Sequence, residues 1–130
     1  MRVTRFIPAV LFGEKRFEEL NDFIDALFPQ KERYGVYLID SVHRQTGLWN
    51  RLKPRSRDLA LEVDASAHEP KTQDVDALRD EILRRKGGEL PRVIIGIGGG
   101  STMDVAKAVS VMLTNPGSAA DYQGWDLVKN

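Results

Sequence analysis

The residues best suited to chemistry lie in one glycine-rich segment, VIIGIGGGSTMDVAK, at residues 93–107. An apolar run typical of a β-strand leads into Gly98, Gly99 and Gly100, and a helical pattern opens at Ser101. The first N–H groups of a helix have no intrahelical partner and carry about half a positive charge, and glycines let a ligand come close to the backbone. The segment is therefore a candidate phosphate-binding turn.

A structural explanation of the same glycines stays open. Ser101 and Asp104 have the S-x-x-D spacing of a helix-capping box, and Gly96 can be explained by packing alone. Three consecutive glycines nevertheless exceed what a helix cap needs. The segment lacks the third glycine of the dinucleotide-binding fingerprint and the Gly-Lys-Ser/Thr ending of a P-loop, so neither of these two well-known phosphate loops is present.

Strands and helices that alternate along the chain must position such a turn. The hydrophobic pattern predicts helices at 14–28, loosely at 41–53, from Thr72 to the glycines at 87–88, and from Ser101 to the Asn-Pro-Gly sequence at 115–117. Thr72 is the predicted N-cap of the third helix, and the first has one apolar stripe formed by Phe17, Leu20, Ile24, Leu27 and Phe28. It predicts strands at 34–40, 59–63 and 91–98. This order predicts an α/β fold of three layers, in which helices cover both faces of a parallel sheet.

Three separated pieces of the chain are expected to meet at one edge of this sheet. Asp40, the loop at 64–70 and the glycines at 96–101 each follow the C-terminal end of a predicted strand. In open parallel sheets, ligands bind beyond these strand ends. The predicted ligand site therefore lies where the three pieces converge.

Composition limits the classes of function. The chain has 130 residues, of which 42% are hydrophobic, and this suffices for one core and one domain. Its 19 basic and 19 acidic residues balance, which argues against general electrostatic binding to nucleic acid or to a membrane surface. It has no cysteine and no apolar run near the roughly 18 residues of a membrane span, so a cytoplasmic location is expected.

The sequence GGGSTMDVAK, at 98–107, resembles the GGGSxxDxAK signature of the iron-containing (group III) alcohol dehydrogenase family. The surrounding order is also similar, with Phe12-Gly13 near the start, a strand ending at Asp40, and Pro70 in a loop before the last strand and the glycine turn. The resemblance covers essentially all of the chain but only the N-terminal third or so of a family member. The ending DYQGWDLVKN, at 121–130, is most similar to the branch that contains 3-deoxy-D-manno-octulosonate 8-oxidase.

The resemblance implies a Rossmann-like nucleotide-binding domain over residues 1–130, of the kind shared with dehydroquinate synthase, that binds NAD or NADP. The cofactor-binding residues it implies are Gly98, Gly99, Gly100 and Ser101 at the pyrophosphate, with Asp40 and Asp104 beside them. Asp40 would accept hydrogen bonds from the adenosine ribose, and its charge would disfavour the 2′-phosphate of NADP. A plain strand-end turn residue is the alternative for Asp40, and a first-turn cap is the alternative for Asp104.

Family members also use a divalent metal, iron or zinc, whose ligands come from a helical C-terminal domain that is expected to be absent from this chain. His43 and His68 show no metal-ligand spacing, so neither catalytic nor metal-binding residues are assigned. The resemblance implies the cofactor-binding part of a metal-dependent oxidoreductase for a small-molecule alcohol or sugar acid, with the 8-hydroxyl of 3-deoxy-D-manno-octulosonate as one candidate. This part is expected to be inactive alone, and the full-length protein to be a homodimer.

Two other functional classes remain open: a dehydroquinate synthase-like lyase domain and a non-catalytic nucleotide-binding module.

Near the end of the chain, Tyr122, Trp125 and Leu127 are expected to form an exposed apolar patch.

Overall fold

The computed structural model describes residues 9–65, 67–124 and 127–129. Within these ranges three parallel strands, in the order β2-β1-β3, form one sheet. The strands are β1 (Gly35–Asp40), β2 (Leu59–Val63) and β3 (Val93–Ile97). The α-helices are α1 (Leu20–Leu27), α2 (Leu48–Arg51), α3 (Thr72–Arg85) and α4 (Gly100–Thr114), and 3-10 helices span Arg16–Glu19, Ser41–Arg44 and Ala119–Tyr122.

The central strand β1 is buried along its whole length because helices cover both of its faces. Val36 and Leu38 lie in a core cluster that contains the buried apolar residues of α3 and α4. Tyr37 and Ile39 point to the opposite face, where α1 and α2 pack. Successive side chains of a strand alternate between faces, so β1 contributes to both cores. The α/β three-layer fold predicted from the sequence is confirmed.

The three strands end together at the edge where a ligand site was predicted. Asp40 of β1 is paired in register with Val63 of β2, and Ile39 is paired with Ile97 of β3. The strand order reverses at β1, because β2 lies on one side of it and β3 on the other. This reversal is the topological switch point at which open α/β sheets bind ligands. The end of β1 and the start of the glycine turn are thus neighbours.

The first predicted helix, 14–28, is not one regular α-helix. It consists of the 3-10 helix Arg16–Glu19 followed by α1, and of its predicted apolar stripe only Ile24 is buried. A 3-10 helix has three residues per turn rather than 3.6, so the two parts do not present one continuous stripe. Leu27 and Phe28, at the end of α1, are exposed.

The segment 41–53 is likewise two short helices instead of one. Gly47 interrupts it with φ of +69°, a left-handed conformation that glycine adopts readily. Trp49 and Leu52, after this glycine, pack against the core beneath α1, whereas Val42, before it, is exposed.

The predicted glycine end of α3 is confirmed, and its predicted cap is wrong. Gly87 and Gly88 follow α3 with positive φ, and Gly88 N donates to the carbonyl oxygen of Leu83, which closes the helix. Thr72, predicted to cap α3, is instead its first helical residue. The cap position belongs to Lys71, whose N–H donates to the carboxylate of Asp74 at 2.8 Å.

The predicted apolar patch near the chain end is only partly within the structure. Tyr122 is half-buried against the main core and donates its hydroxyl to the carbonyl oxygen of Pro116, so it does not belong to an exposed patch. Leu127 is exposed, and Trp125 lies outside the described residues. Among the helices in the described ranges, none has both the length and the apolar character needed to cross a membrane.

Candidate functional site

The candidate site is the turn that joins β3 to α4. Strand β3 ends at Ile97, Gly99 occupies the N-cap position, and α4 begins at Gly100, one residue earlier than predicted. No side chain of the described residues caps this helix, and Met103 N donates to the carbonyl oxygen of Gly99 at 3.1 Å. The backbone N–H groups before Met103 therefore have no intrahelical acceptor and face the end of the helix. The S-x-x-D capping box between Ser101 and Asp104 does not form.

The inner glycines of this segment are required for packing. A Cβ atom added at Gly96 would lie 2.9 Å from the Cβ of Ala106. A Cβ at Gly98 would lie 2.5 Å from Oγ1 of Thr102 and 2.9 Å from the Cβ of Asp40. Contacts this short do not occur between real side chains, so α4 and β1 approach β3 closely only because these two positions lack a side chain. The packing explanation offered for Gly96 is thus correct, and it extends to Gly98.

The outer glycines, Gly99 and Gly100, have no such explanation. A Cβ at either position would meet nothing within 4 Å. Gly99 has φ of −76° and ψ of −171°, extended backbone that any residue adopts, and Gly100 is helical. Neither packing nor backbone conformation demands glycine at these two positions, and the space beside the unpaired N–H groups is open to a ligand.

Asp40 lies directly beneath this turn and is only 1% exposed. Its Oδ2 accepts a hydrogen bond from the hydroxyl of Thr102 at 2.7 Å. Its Oδ1 accepts one from Val42 N at 3.1 Å and so caps the 3-10 helix that follows β1, as a strand-end turn residue does. Both carboxylate oxygens thus already accept a hydrogen bond within the protein, and the ribose-binding role of Asp40 stays a prediction.

Thr102 is a site residue that the sequence analysis missed. It is fully buried, and it makes the hydrogen bond that joins the first turn of α4 to the end of β1. A signal was present in the sequence, because position 102 falls on the same helical stripe as Val105, Ala106 and Val109. A hydroxyl on an otherwise apolar stripe needs a buried partner.

Ser101 and Asp104 line an open groove of about 380 Å³ that runs beside α4. The loop before α3 forms its opposite wall with Pro70 and Lys71. An adjoining groove of about 390 Å³, which also contains His68, continues along the same loop. Both volumes fall within the roughly 300–1,000 Å³ of small-molecule sites. The first groove reaches the first turn of α4 at Ser101, one residue after the outer glycines in the sequence.

Asp104 pairs with Lys107 rather than with another predicted site residue. Its Oδ1 accepts from Nζ of Lys107 at 2.9 Å, and both side chains are about three-quarters exposed, at 74% and 75%. An exposed ion pair of this kind contributes little to stability, about 0–1 kcal/mol. Asp104 is thus a solvated carboxylate on the groove wall, where a cofactor role is sterically open.

Comparison with known protein families classifies the chain that has this fold and this turn. Residues 8–130 match the iron-containing alcohol dehydrogenase family. The chain belongs to this family. Over 92% of its length it is 31% identical to Alcohol dehydrogenase 4 of Saccharomyces cerevisiae (strain ATCC 204508 / S288c), of which the match covers 30%. A second relative, sulfoacetaldehyde reductase of Bilophila wadsworthia (strain 3_1_6), is 55% identical over 38 residues, 29% of this chain and 10% of that protein.

A solved structure supports the iron-containing alcohol dehydrogenase fold independently. Sulfoacetaldehyde reductase from Bifidobacterium kashiwanohense, crystallised in complex with NAD⁺, matches 88% of this chain with a TM-score of 0.66 and 26% sequence identity. The match covers 29% of that protein. The chain therefore spans about 30% of the length of Alcohol dehydrogenase 4 and 29% of the solved reductase.

The metal that this family name implies finds no matching ligand set in the described part of the chain. Nowhere in the described residues do three or more histidine, cysteine, aspartate or glutamate side chains gather as metal ligands would. His43 instead has its Nδ1 3.3 Å from Oγ1 of Thr46. His68 borders the groove described above.

A carboxylate whose pKa is strongly lowered, Asp25, lies away from the glycine turn. Asp25 of α1 contacts Arg55 at 2.5 Å, Lys31 at 3.0 Å and Arg92 at 3.2 Å. The hydrogen bond from Arg55, with those from the other two cations, holds the pKa of Asp25 well below its usual range. Since Arg92 immediately precedes β3, this cluster joins α1 to the edge of the sheet opposite the glycine turn.

Proposed function

We propose that this chain is the NAD-binding part of a metal-dependent alcohol dehydrogenase or related oxidoreductase. The observation that carries the proposal is the open space at Gly99 and Gly100, beside backbone N–H groups that no side chain of the described residues caps. Its position at the switch point of a parallel sheet supports the same conclusion. Membership of the iron-containing alcohol dehydrogenase family and the likeness to an NAD⁺ complex agree with it.

In this proposal the pyrophosphate of NAD occupies the space above Gly98, Gly99, Gly100 and Ser101. The N–H groups of the first turn of α4 donate to the phosphate oxygens, and the helix dipole stabilises their negative charge. Ser101 adds an exposed hydroxyl on the same turn, and Asp104 borders the path of the cofactor along the groove.

Asp40 is the proposed determinant of the preference for NAD over NADP. Its carboxylate is buried beneath the turn, where a charge is screened less than at the surface. A 2′-phosphate brought to this end of the site would be repelled by that charge, whether or not Asp40 itself contacts the ribose. The Thr102 hydroxyl keeps the carboxylate in place.

The chemistry that NAD supplies is acceptance of a hydride from the carbon that bears the substrate hydroxyl, while the hydroxyl proton is lost. The residues described here bind and orient the cofactor, and we assign none of them to the transfer itself. The metal ligands and most of the substrate site are proposed to belong to a further, helical domain, so residues 1–130 alone are proposed to show no turnover.

The substrate proposal is a small-molecule alcohol or aldehyde. The names of the relatives, an alcohol dehydrogenase and two sulfoacetaldehyde reductases, share this chemistry. The 8-hydroxyl of 3-deoxy-D-manno-octulosonate is a narrower proposal, supported only by the similarity of residues 121–130 to that branch. The cytoplasmic location and the homodimeric state of the full-length protein stay predictions from the sequence.

The test is a titration of NAD into the 130-residue chain, followed by backbone amide chemical shifts. We expect shifts centred on Gly98–Ser101 that are lost in Gly99→Val, because a side chain there fills the proposed phosphate space. Ser110→Ala is the matched control, since it changes an exposed residue on the same helix about 15 Å farther along. A folded chain that gives no shifts with NAD would contradict the proposal for this domain.

The same titration is extended to separate the other functional classes. A protein that includes the helical domain and its metal is expected to produce NADH from an alcohol. Binding of NAD without any turnover in that longer protein would favour a non-catalytic nucleotide-binding module. Substrate conversion without net NADH formation would favour a dehydroquinate synthase-like lyase.

A further inference from the structure

We propose that Thr102 is a positioning residue for the cofactor site: through Asp40, its hydroxyl holds the first turn of α4 against the end of β1. This fixes where the unpaired N–H groups of the glycine turn point. The inference rests on the proposed function, because it concerns the same pyrophosphate site.

The contact that carries the inference is buried and joins distant parts of the chain. Thr102 is 0% exposed, Asp40 is 1% exposed, and the hydrogen bond between them measures 2.7 Å. Hydrogen bonds to a charged acceptor contribute more than neutral ones, and burial keeps water from replacing them. The pair therefore links the helix that presents the N–H groups to the central strand of the sheet.

Gly98 shows that the turn is held at this same point. Its backbone lies so close to the pair that an added Cβ would come within 2.5 Å of Oγ1 of Thr102 and 2.9 Å of the Cβ of Asp40. The turn, the helix and the strand thus meet in one contact. A shift of the Thr102 side chain would be transmitted directly to the backbone of Gly98.

In the described residues, the start of α4 is not fixed by an N-cap side chain. The N-cap residue is Gly99, which has no side chain, and no side-chain hydrogen bond caps the helix. In many helices an N-cap side chain fixes the first turn by occupying its N–H groups. Here the first turn is held from below, by a residue inside the helix, and the N–H groups stay available for an anion.

The inference predicts that removal of the Thr102 hydroxyl weakens NAD binding by more than the accompanying loss of folding stability explains. Thr102→Val keeps the shape of the side chain and removes the donor, whereas Thr102→Ser keeps the donor. Calorimetric titration with NAD is expected to show about tenfold weaker binding for Thr102→Val, the loss of one charge-assisted hydrogen bond. Thr102→Ser is expected to stay within about twofold of the unmodified chain, since its hydroxyl still reaches Asp40.

Ile82→Val is the stability control, because it trims a fully buried residue in the last turns of α3 without touching the glycine turn. Its effect on unfolding by urea should be similar to that of Thr102→Val, yet its NAD affinity should equal that of the unmodified chain. If Thr102→Val does not fold, Thr102→Ala removes the same hydroxyl without adding bulk and is read in the same way.

Two failures of this experiment are distinguishable. Equal NAD affinity in Thr102→Val and in the unmodified chain would overturn the positioning role while leaving the proposed function intact. Equal weakening by Thr102→Val and Ile82→Val, or no recovery in Thr102→Ser, would also overturn it, since the effect would then be one of stability. A folded, unmodified chain that does not bind NAD would overturn the proposed function and this inference together.

Discussion

The two halves of the glycine segment look alike in the sequence but differ in the structure. Gly96 and Gly98 are enclosed, and an added Cβ would come within 3 Å of Ala106, Thr102 or Asp40. Gly99 and Gly100 are open, and an added Cβ would meet nothing within 4 Å. The inner pair lets β3, α4 and β1 approach one another, whereas the outer pair leaves space above the helix. Packing is thus the reason for one half, and ligand access is the proposed reason for the other.

The largest effect on both folding and NAD binding is expected for Gly98→Ala. The new methyl group must displace Thr102 or Asp40, and such overpacking costs about 1–3 kcal/mol. Because the displaced pair also holds the turn, NAD binding should be lost with it. Urea denaturation measures the free energy of unfolding, and calorimetry measures the binding. A variant as stable as the unmodified chain would show that the inner half is not packing-limited.

The next largest effect is expected for Gly100→Ala, in which NAD binding should weaken without a loss of stability. Alanine fits the helical backbone at this position and reduces the entropy of the unfolded chain, so stability should be unchanged or higher by about 0.4–1 kcal/mol. NAD affinity should nevertheless fall about tenfold or more, as the methyl group enters the proposed phosphate space. Both quantities are measured on the same protein.

Gly100→Ala and Gly98→Ala form a matched pair, since the same methyl group is added two residues apart. Opposite signs for their effects on stability would sharpen the distinction between the two halves. Unchanged NAD affinity in Gly100→Ala would break it, because the open space would then have no ligand to exclude.

A smaller effect, on selectivity, is expected for Asp40→Asn. The asparagine oxygen still accepts a hydrogen bond from Thr102, but the charge beneath the turn is gone. The ratio of NADP to NAD affinity should rise about fivefold, as expected when a repulsion on the order of 1 kcal/mol is removed. Parallel titrations with the two cofactors measure this ratio. An unchanged ratio would leave Asp40 with only its structural contacts to Thr102 and Val42.

The architecture could be predicted because its signals are local. The apolar runs predicted β1, β2 and β3, and the paired glycines at 87–88 predicted the end of α3. Convergence at one sheet edge then followed from parallel strands. The irregular helices were harder to predict, since a left-handed residue such as Gly47 or a 3-10 turn changes the helical period within a few residues.

The division of the glycine segment could not be predicted, because it depends on contacts between distant residues. Gly98 is enclosed by Asp40, 58 positions earlier in the chain, and only the folded sheet brings the two together. Thr102 and its partner Asp40 are 62 positions apart, so the sequence did not reveal the pair, although the place of Thr102 on an apolar stripe indicated that a partner was needed. The capping box of Ser101 and Asp104 does not form, because α4 begins one residue before Ser101 and Gly99 takes the N-cap position.

The smallest effect on binding is expected for Asp25→Asn, at the opposite edge of the sheet. The pKa of Asp25 is lowered in the folded protein, mainly by its hydrogen bond from Arg55. A lowered pKa stabilises the fold at pH values above about 4, the unfolded value, and this contribution is lost as the pH falls below it. The unmodified chain should therefore lose stability more steeply than Asp25→Asn between about pH 5 and pH 2.

At neutral pH Asp25→Asn should be less stable, because the nearly buried Arg92 loses its counter-charge, while NAD affinity stays the same. Urea denaturation across the pH series and one NAD titration at neutral pH test both statements. Parallel acid profiles would mean that the ion cluster is not what sets this dependence. A change in NAD affinity would mean that the two edges of the sheet are coupled. A loss of NAD binding in a variant of the outer glycines could then come from a change in stability as well as from a blocked ligand space.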